Sequence, residues 1–134
     1  MAVYPDRESL ERVLARLVRS LVDDPAFRRA AQAENVLVTF SFPDRRTGFY
    51  VRLQGGLVEA AVGESPGEAT ITVTMTSADF HEVASGRIDP ERAAGQGLMA
   101  VSGNRIALTR LRSLVPVFVR LYLAAHSPAE PSFL

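Results

Sequence analysis

Residues 84–111, ASGRIDPERAAGQGLMAVSGNRIALTRL, carry the reading that decides this chain's fold. Gly86 is placed to stop a helix, because a residue without a Cβ enters the left-handed region freely. Asp89-Pro90 pairs a capping carboxylate with a first-turn proline and so starts the next helix. Gln96-Gly97 ends that helix, residues 98–102 read as a strand, and Gly103-Asn104 turns the chain into a long apolar helix. The stretch contains no nucleophile paired with a base and no cluster of metal ligands.

Upstream, Leu10, Val13, Leu14, Leu17, Val18 and Leu21 recur at helical spacing between charged residues, which predicts an amphipathic helix with one buried stripe. Asp24-Pro25 opens a shorter helix that runs to about Ala33. Strand patterns follow: Val36, Val38, Phe40 and Phe42, then Phe49, Val51 and Leu53, then residues 57–63 after the Gly55-Gly56 turn. The clearest alternation sets Ala69, Ile71, Val73 and Met75 against Thr70, Thr72, Thr74 and Thr76, one buried face and one wet. Short turns between these four strands predict a largely antiparallel meander. Thr76 to Asp79 caps a helix carrying Phe80 and Val83. Downstream, the helix over 105–126 is interrupted by Pro116, which kinks or splits it. Segregated strands and helices make an α+β domain: five strands in a largely antiparallel sheet, with helices packed on one face. The domain is expected over residues 1–127, with a flexible tail at 128–134.

Composition narrows the function. The 15 basic residues balance 15 acidic ones, so the surplus of positive charge that a phosphate-backbone binder needs is missing, and no nucleic-acid partner is expected. Every basic residue is arginine, which removes lysine Schiff-base chemistry and suggests a bacterial, GC-rich source. With no cysteine there is no disulfide, thiolate nucleophile or cysteine-bound metal, which fits a cytoplasmic setting. The most apolar window, residues 114–125, falls short of the ~20 residues a membrane span needs and contains Arg120. No signal peptide is evident, and no cofactor or metal site is called for.

The residues of the opening stretch resemble the signature of the sterol carrier protein 2 lipid-transfer domain. Ser85, Gly86, Arg87, Ile88, Asp89 and Pro90, then Gln96 and Gly97, then Val101, Ser102, Gly103 and Asn104, then Ala107 and Leu108 stand in that family's order without a gap. The resemblance implies the same α+β topology and a hydrophobic tunnel between sheet and helices for one fatty acyl, prenyl or sterol-like ligand. Mapped onto this chain, the tunnel would be lined by Phe40, Phe49, Val51, Val73, Met75, Phe80, Met99, Leu111, Leu114, Phe118 and Tyr122. Arg120, isolated among apolar residues, is the candidate for a headgroup, and Arg105, Arg110 and Arg112 lie on or near the same helix. The implied partners are a lipid and, transiently, a membrane surface; a homodimer is a further arrangement left open.

Two departures from the family matter. Ala94 and Gly95 stand where some members have aromatics, which enlarges a cavity unless Phe118 or Tyr122 fills it. Leu98 and Ala100 replace lysines, so the fifth strand is apolar on both faces. The chain ends Ser-Phe-Leu, and the peroxisomal address is not carried over. His81 lies between Asp79 and Glu82, with His126 expected far away in a fraying helix end, so no catalytic residue is assigned. An isomerase or cyclase using the same tunnel, and an interaction module with a collapsed cavity, remain the alternatives.

Overall fold

The structure, a computed structural model, describes residues 3–126; the expected domain end at Ser127 and the tail beyond it lie outside these residues. Helix α1 (Arg7–Asp23) begins at a reciprocal cap, where the Asp6 carboxylate accepts from the Ser9 amide at 2.8 Å. Its predicted stripe, Leu10 through Leu21, is buried. Each such side chain contributes about 1.5–3 kcal/mol on leaving water. Asp24 then turns the chain into α2 (Pro25–Ala33), its carboxylate accepting from the Ala26 and Phe27 amides at 2.9 and 3.1 Å.

Five strands follow the predicted pattern: β1 (Asn35–Phe42), β2 (Thr47–Gln54), β3 (Leu57–Val62), β4 (Ile71–Thr74) and β5 (Ala100–Gly103). Their order across the sheet is β3-β2-β1-β4-β5. The sheet is therefore mixed rather than the expected largely antiparallel meander, because β4 pairs with β1 in parallel. The Ser65-Pro66-Gly67 segment is a crossover, not a hairpin turn. It carries the chain from one sheet edge to the free side of β1, where the Thr70 amide donates to the Leu37 carbonyl at 2.8 Å. Periodicity reports which face a side chain occupies and is silent about the strand beside it, so it fixes the faces of β4 without naming its neighbour.

The register aligns Val38, Val51, Ala60 and Ile71 across four strands, and Phe40, Phe49, Val62, Val73 and Val101 across five. These residues form the face covered by helices. The opposite face holds the threonines, with Thr39 and Thr72 hydroxyls 3.4 Å apart. Helix α3 (Ser77–Ala84) is capped by Thr76 and tied to the turn after β1, where Ser77 donates through its amide and hydroxyl to Asp44 at 2.9 and 2.7 Å. Helix α4 (Pro90–Gly95) starts at the predicted Asp89 cap. The C-terminal helix splits, as Pro116 requires, into α5 (Arg105–Leu111) and α6 (Val115–His126) around a single 3-10 turn at Arg112–Leu114.

Candidate functional site

The space between sheet and helices holds a packed aromatic group. Phe40 stacks on Phe49 with ring centres 4.4 Å apart, and Phe80 meets Phe42 at 4.7 Å and Tyr122 at 5.3 Å. Phe118 descends from α6 onto Phe40 at 6.0 Å. The residues expected to line a tunnel thus divide into two sets. Phe49, Val51, Val73, Met75, Phe80 and Tyr122 are fully buried among neighbours. Phe40, Met99, Leu111, Leu114 and Phe118 pack against that core but stay partly exposed. Ala94 and Gly95, expected to enlarge a cavity, face solvent instead, and their neighbour Ala93 takes the buried position.

The second set marks an incompletely covered surface. Within α5 and α6 only Ala107, Tyr122 and Ala125 are buried, although α6 is rich in Leu, Val and Phe and α5 carries Ile106, Leu108 and Leu111. A helix apolar on all sides is normally enclosed. Here Leu108, Leu111, Leu114, Val117, Phe118 and Leu121 lie against Val38, Phe40, Met99 and Val101 without being sealed from water. A separate open groove of about 490 Å³ lies between α1 and β3, lined by Ala15, Val18, Val22, Ala60 and Val62.

Beside the aromatic group lies a polar cluster that joins three distant segments. The Tyr122 hydroxyl is 2.5 Å from the Tyr4 hydroxyl and 2.8 Å from His81 Nδ1. His126 is not remote: its ring centre is 4.7 Å from that of His81 and 5.8 Å from that of Tyr4. It is held close because α6 stays helical to its end, where Arg16 Nε donates to the Ala125 carbonyl at 2.8 Å. Burial, followed by the neighbouring His126, holds the His81 imidazole below its ordinary pKa. The Tyr122 phenol is pushed well above the usual range, by burial first and then by its bond to Tyr4. This cluster was missed in the sequence, save for one signal: Tyr122 and His126 stand four apart and so share a helix face.

Three of the arginines near the C-terminal helices, Arg110, Arg112 and Arg120, are bound into bridges. Arg120 donates to Asp24 Oδ1 at 3.3 Å, so the residue singled out for a headgroup tethers α6 to the α2 cap. Arg110 pairs with Glu34 at 3.0 Å and Arg112 with Glu91 at 2.8 Å. Among the described residues no group of three or more metal-ligating side chains converges, and no helix is long and apolar enough to cross a membrane.

Residues 27–121 match the family described as alkyl sulfatase C-terminal, which is most of the chain. The chain belongs to that family. The stereoselective inverting sec-alkylsulfatase Pisa1 from Pseudomonas sp. shares this fold over part of its length, at 22% identity and a TM-score of 0.55, covering 65% of this chain and 14% of that one. The crystal structure of sterol carrier protein 2 matches at 22% identity and TM-score 0.62, covering 89% of this chain and 97% of the other. The likeness at these identities is one of fold, and it bears out the resemblance read from residues 84–111. Peroxisomal multifunctional enzyme type 2 of Mus musculus is 28% identical over 71 residues, which is 53% of this chain and 10% of that enzyme. The chain thus spans only a small part of each of these two enzymes.

Proposed function

We propose that this alkyl sulfatase C-terminal domain binds the hydrocarbon tail of one amphiphilic molecule between the β1–β4–β5 face and α5–α6. The observation that carries this reading is the unsealed apolar seam formed by Phe40, Met99, Leu111, Leu114 and Phe118. A tail entering the seam gains ~0.8 kcal/mol for each methylene buried, with no polar contact needed. Space for it comes from lifting α5–α6, which the sheet holds by partly buried side chains, while the Phe42–Phe49–Phe80 group stays in place beneath. The fold likeness to sterol carrier protein 2 supports the same assignment.

A second reading follows from the family itself. Pisa1 is named as an alkylsulfatase, and its matching region is a minor part of its chain. By analogy, this domain would hold an alkyl tail for chemistry performed by a separate catalytic unit, rather than ferry lipid between membranes.

Titration of the purified protein with a fluorescent fatty acid, followed by displacement with dodecyl sulfate, tests the proposal. Saturable binding of one molecule per chain is expected. A bound ligand at 100 times its Kd should raise stability by about 2.7 kcal/mol. Absence of uptake together with an unmoved melting temperature would sink the reading and favour an interaction module with a filled core.

A further inference from the structure

We infer that the outer face of α5 and α6 docks on an anionic lipid bilayer. The inference rests on the tail-binding reading above, since docking would present the α5–α6 seam to its ligand. Charge is segregated along this neutral chain: residues 92–126 contain five arginines and no aspartate or glutamate, leaving ten arginines against all 15 acids elsewhere. That cationic stretch is the same one that forms the half-open apolar cover.

Two of the three bridges leave the cation outermost, whereas Arg112 is matched by Glu91, itself 65% exposed. Arg110 and Arg120 pair with Glu34 and Asp24, whose side chains are only 9% and 5% exposed, while the arginine side chains are 52% and 66% exposed. At Arg110 and Arg120 an approaching surface therefore meets the guanidinium groups, with their carboxylates recessed behind them. Asp24 and Glu34 cap the two ends of α2, so their backbones stand about 15 Å apart at ten residues of helical rise and the two arginines are anchored at opposite ends of that helix. Beside each lies an exposed apolar side chain: Ile106, 71% exposed, one turn before Arg110, and Leu123, 45% exposed, one turn after Arg120.

Exposed aliphatic residues flanked by fixed cations suit an interface where acyl chains lie directly beneath anionic headgroups. A nucleic-acid backbone offers the charge but nothing for Ile106 and Leu123 to enter. Leu57 provides an internal contrast. It is as exposed as Ile106, at 74%, but sits on β3 at the opposite sheet edge with Glu59 beside it.

The chain has no tryptophan, so Ile106→Trp and Leu57→Trp each create a single fluorescent reporter at an already exposed position. Both variants are mixed with vesicles of phosphatidylcholine alone and of phosphatidylcholine with phosphatidylserine. The expected result is a blue-shifted emission for Ile106→Trp on the anionic vesicles, with partitioning about tenfold stronger than on neutral ones and reversed by salt. Adding Arg110→Gln and Arg120→Gln should remove that preference, and Leu57→Trp should not shift. No shift at Ile106→Trp, or a shift indifferent to phosphatidylserine, overturns the inference. Fatty-acid binding by the same variants without vesicles separates the two readings: binding without docking sinks only this one, and docking without binding sinks only the tail site.

Discussion

Tyr122 shows how one hydroxyl can serve three parts of a chain. It bridges Tyr4, ahead of α1, to His81 on α3, while its own backbone belongs to α6. In Tyr122→Phe two buried polar groups lose a partner, so a loss of about 1–3 kcal/mol is expected in urea unfolding. Circular dichroism should show an unchanged fold. His81 adds a pH dependence of definite sign. Its folded pKa lies below 6.5, through burial and then His126 and Arg87, with Glu82 opposing. The unfolded chain therefore takes the proton first. This contribution to stability is complete above the unfolded pKa and disappears as the pH falls through the folded one. Asp6 and Glu11, held below their ordinary 3.8 and 4.5 by bonds to Ser9 and Thr47, lose theirs only in a more acidic window. Melting temperatures across pH, with an NMR titration of the imidazoles, should show the first step, and His81→Gln should erase it.

At the level of elements, close strand approach and helix interruption govern. Gly48 on β2 has no room for a side chain: a Cβ there would stand 2.1 Å from the Phe40 carbonyl oxygen of β1. Gly48→Ala must push the two central strands apart, and a loss of about 3 kcal/mol or more is expected in the same unfolding assay. Gly56→Ala is the useful contrast. Its nearest neighbour, Gln32 Cγ, would lie at 3.7 Å, and only its φ of +81° resists the substitution. A cost of about 1 kcal/mol is expected there. Pro116 cannot donate to the Arg112 carbonyl, so the C-terminal segment covers the seam as two short helices, α5 and α6, rather than one.

The whole molecule divides into a rigid part and a cover. Phe49 is 1% exposed within the central aromatic group, and Phe49→Ala should cost about 3–5 kcal/mol. Phe118, partly exposed on α6, should cost less when replaced by alanine, because one side of it already faces water. For fatty-acid uptake the order should reverse, with Phe118→Ala weakening binding more than its stability loss explains. Equal effects of the two substitutions on uptake, after correction for unfolding, would place the ligand elsewhere in the molecule.

Local order was legible from the residues themselves: the α1 stripe, the caps at Asp24, Thr76 and Asp89, the stop at Gly86, the turn at Gly103-Asn104 and the alternation of the strands at 36–42, 49–54 and 69–76. Each rests on interactions within a few positions, so composition and spacing determine it. Residues 84–111 also carried the family likeness. What tertiary structure alone decided is who stands next to whom. It put β4 beside β1 rather than β3, filled the space behind Phe40 with rings, and brought His126 onto His81. It also turned Arg120 from an isolated cation into the partner of Asp24. The reason is physical: a periodic pattern specifies the face a side chain presents, whereas a contact between residues 41 or 96 apart depends on how every intervening element packs.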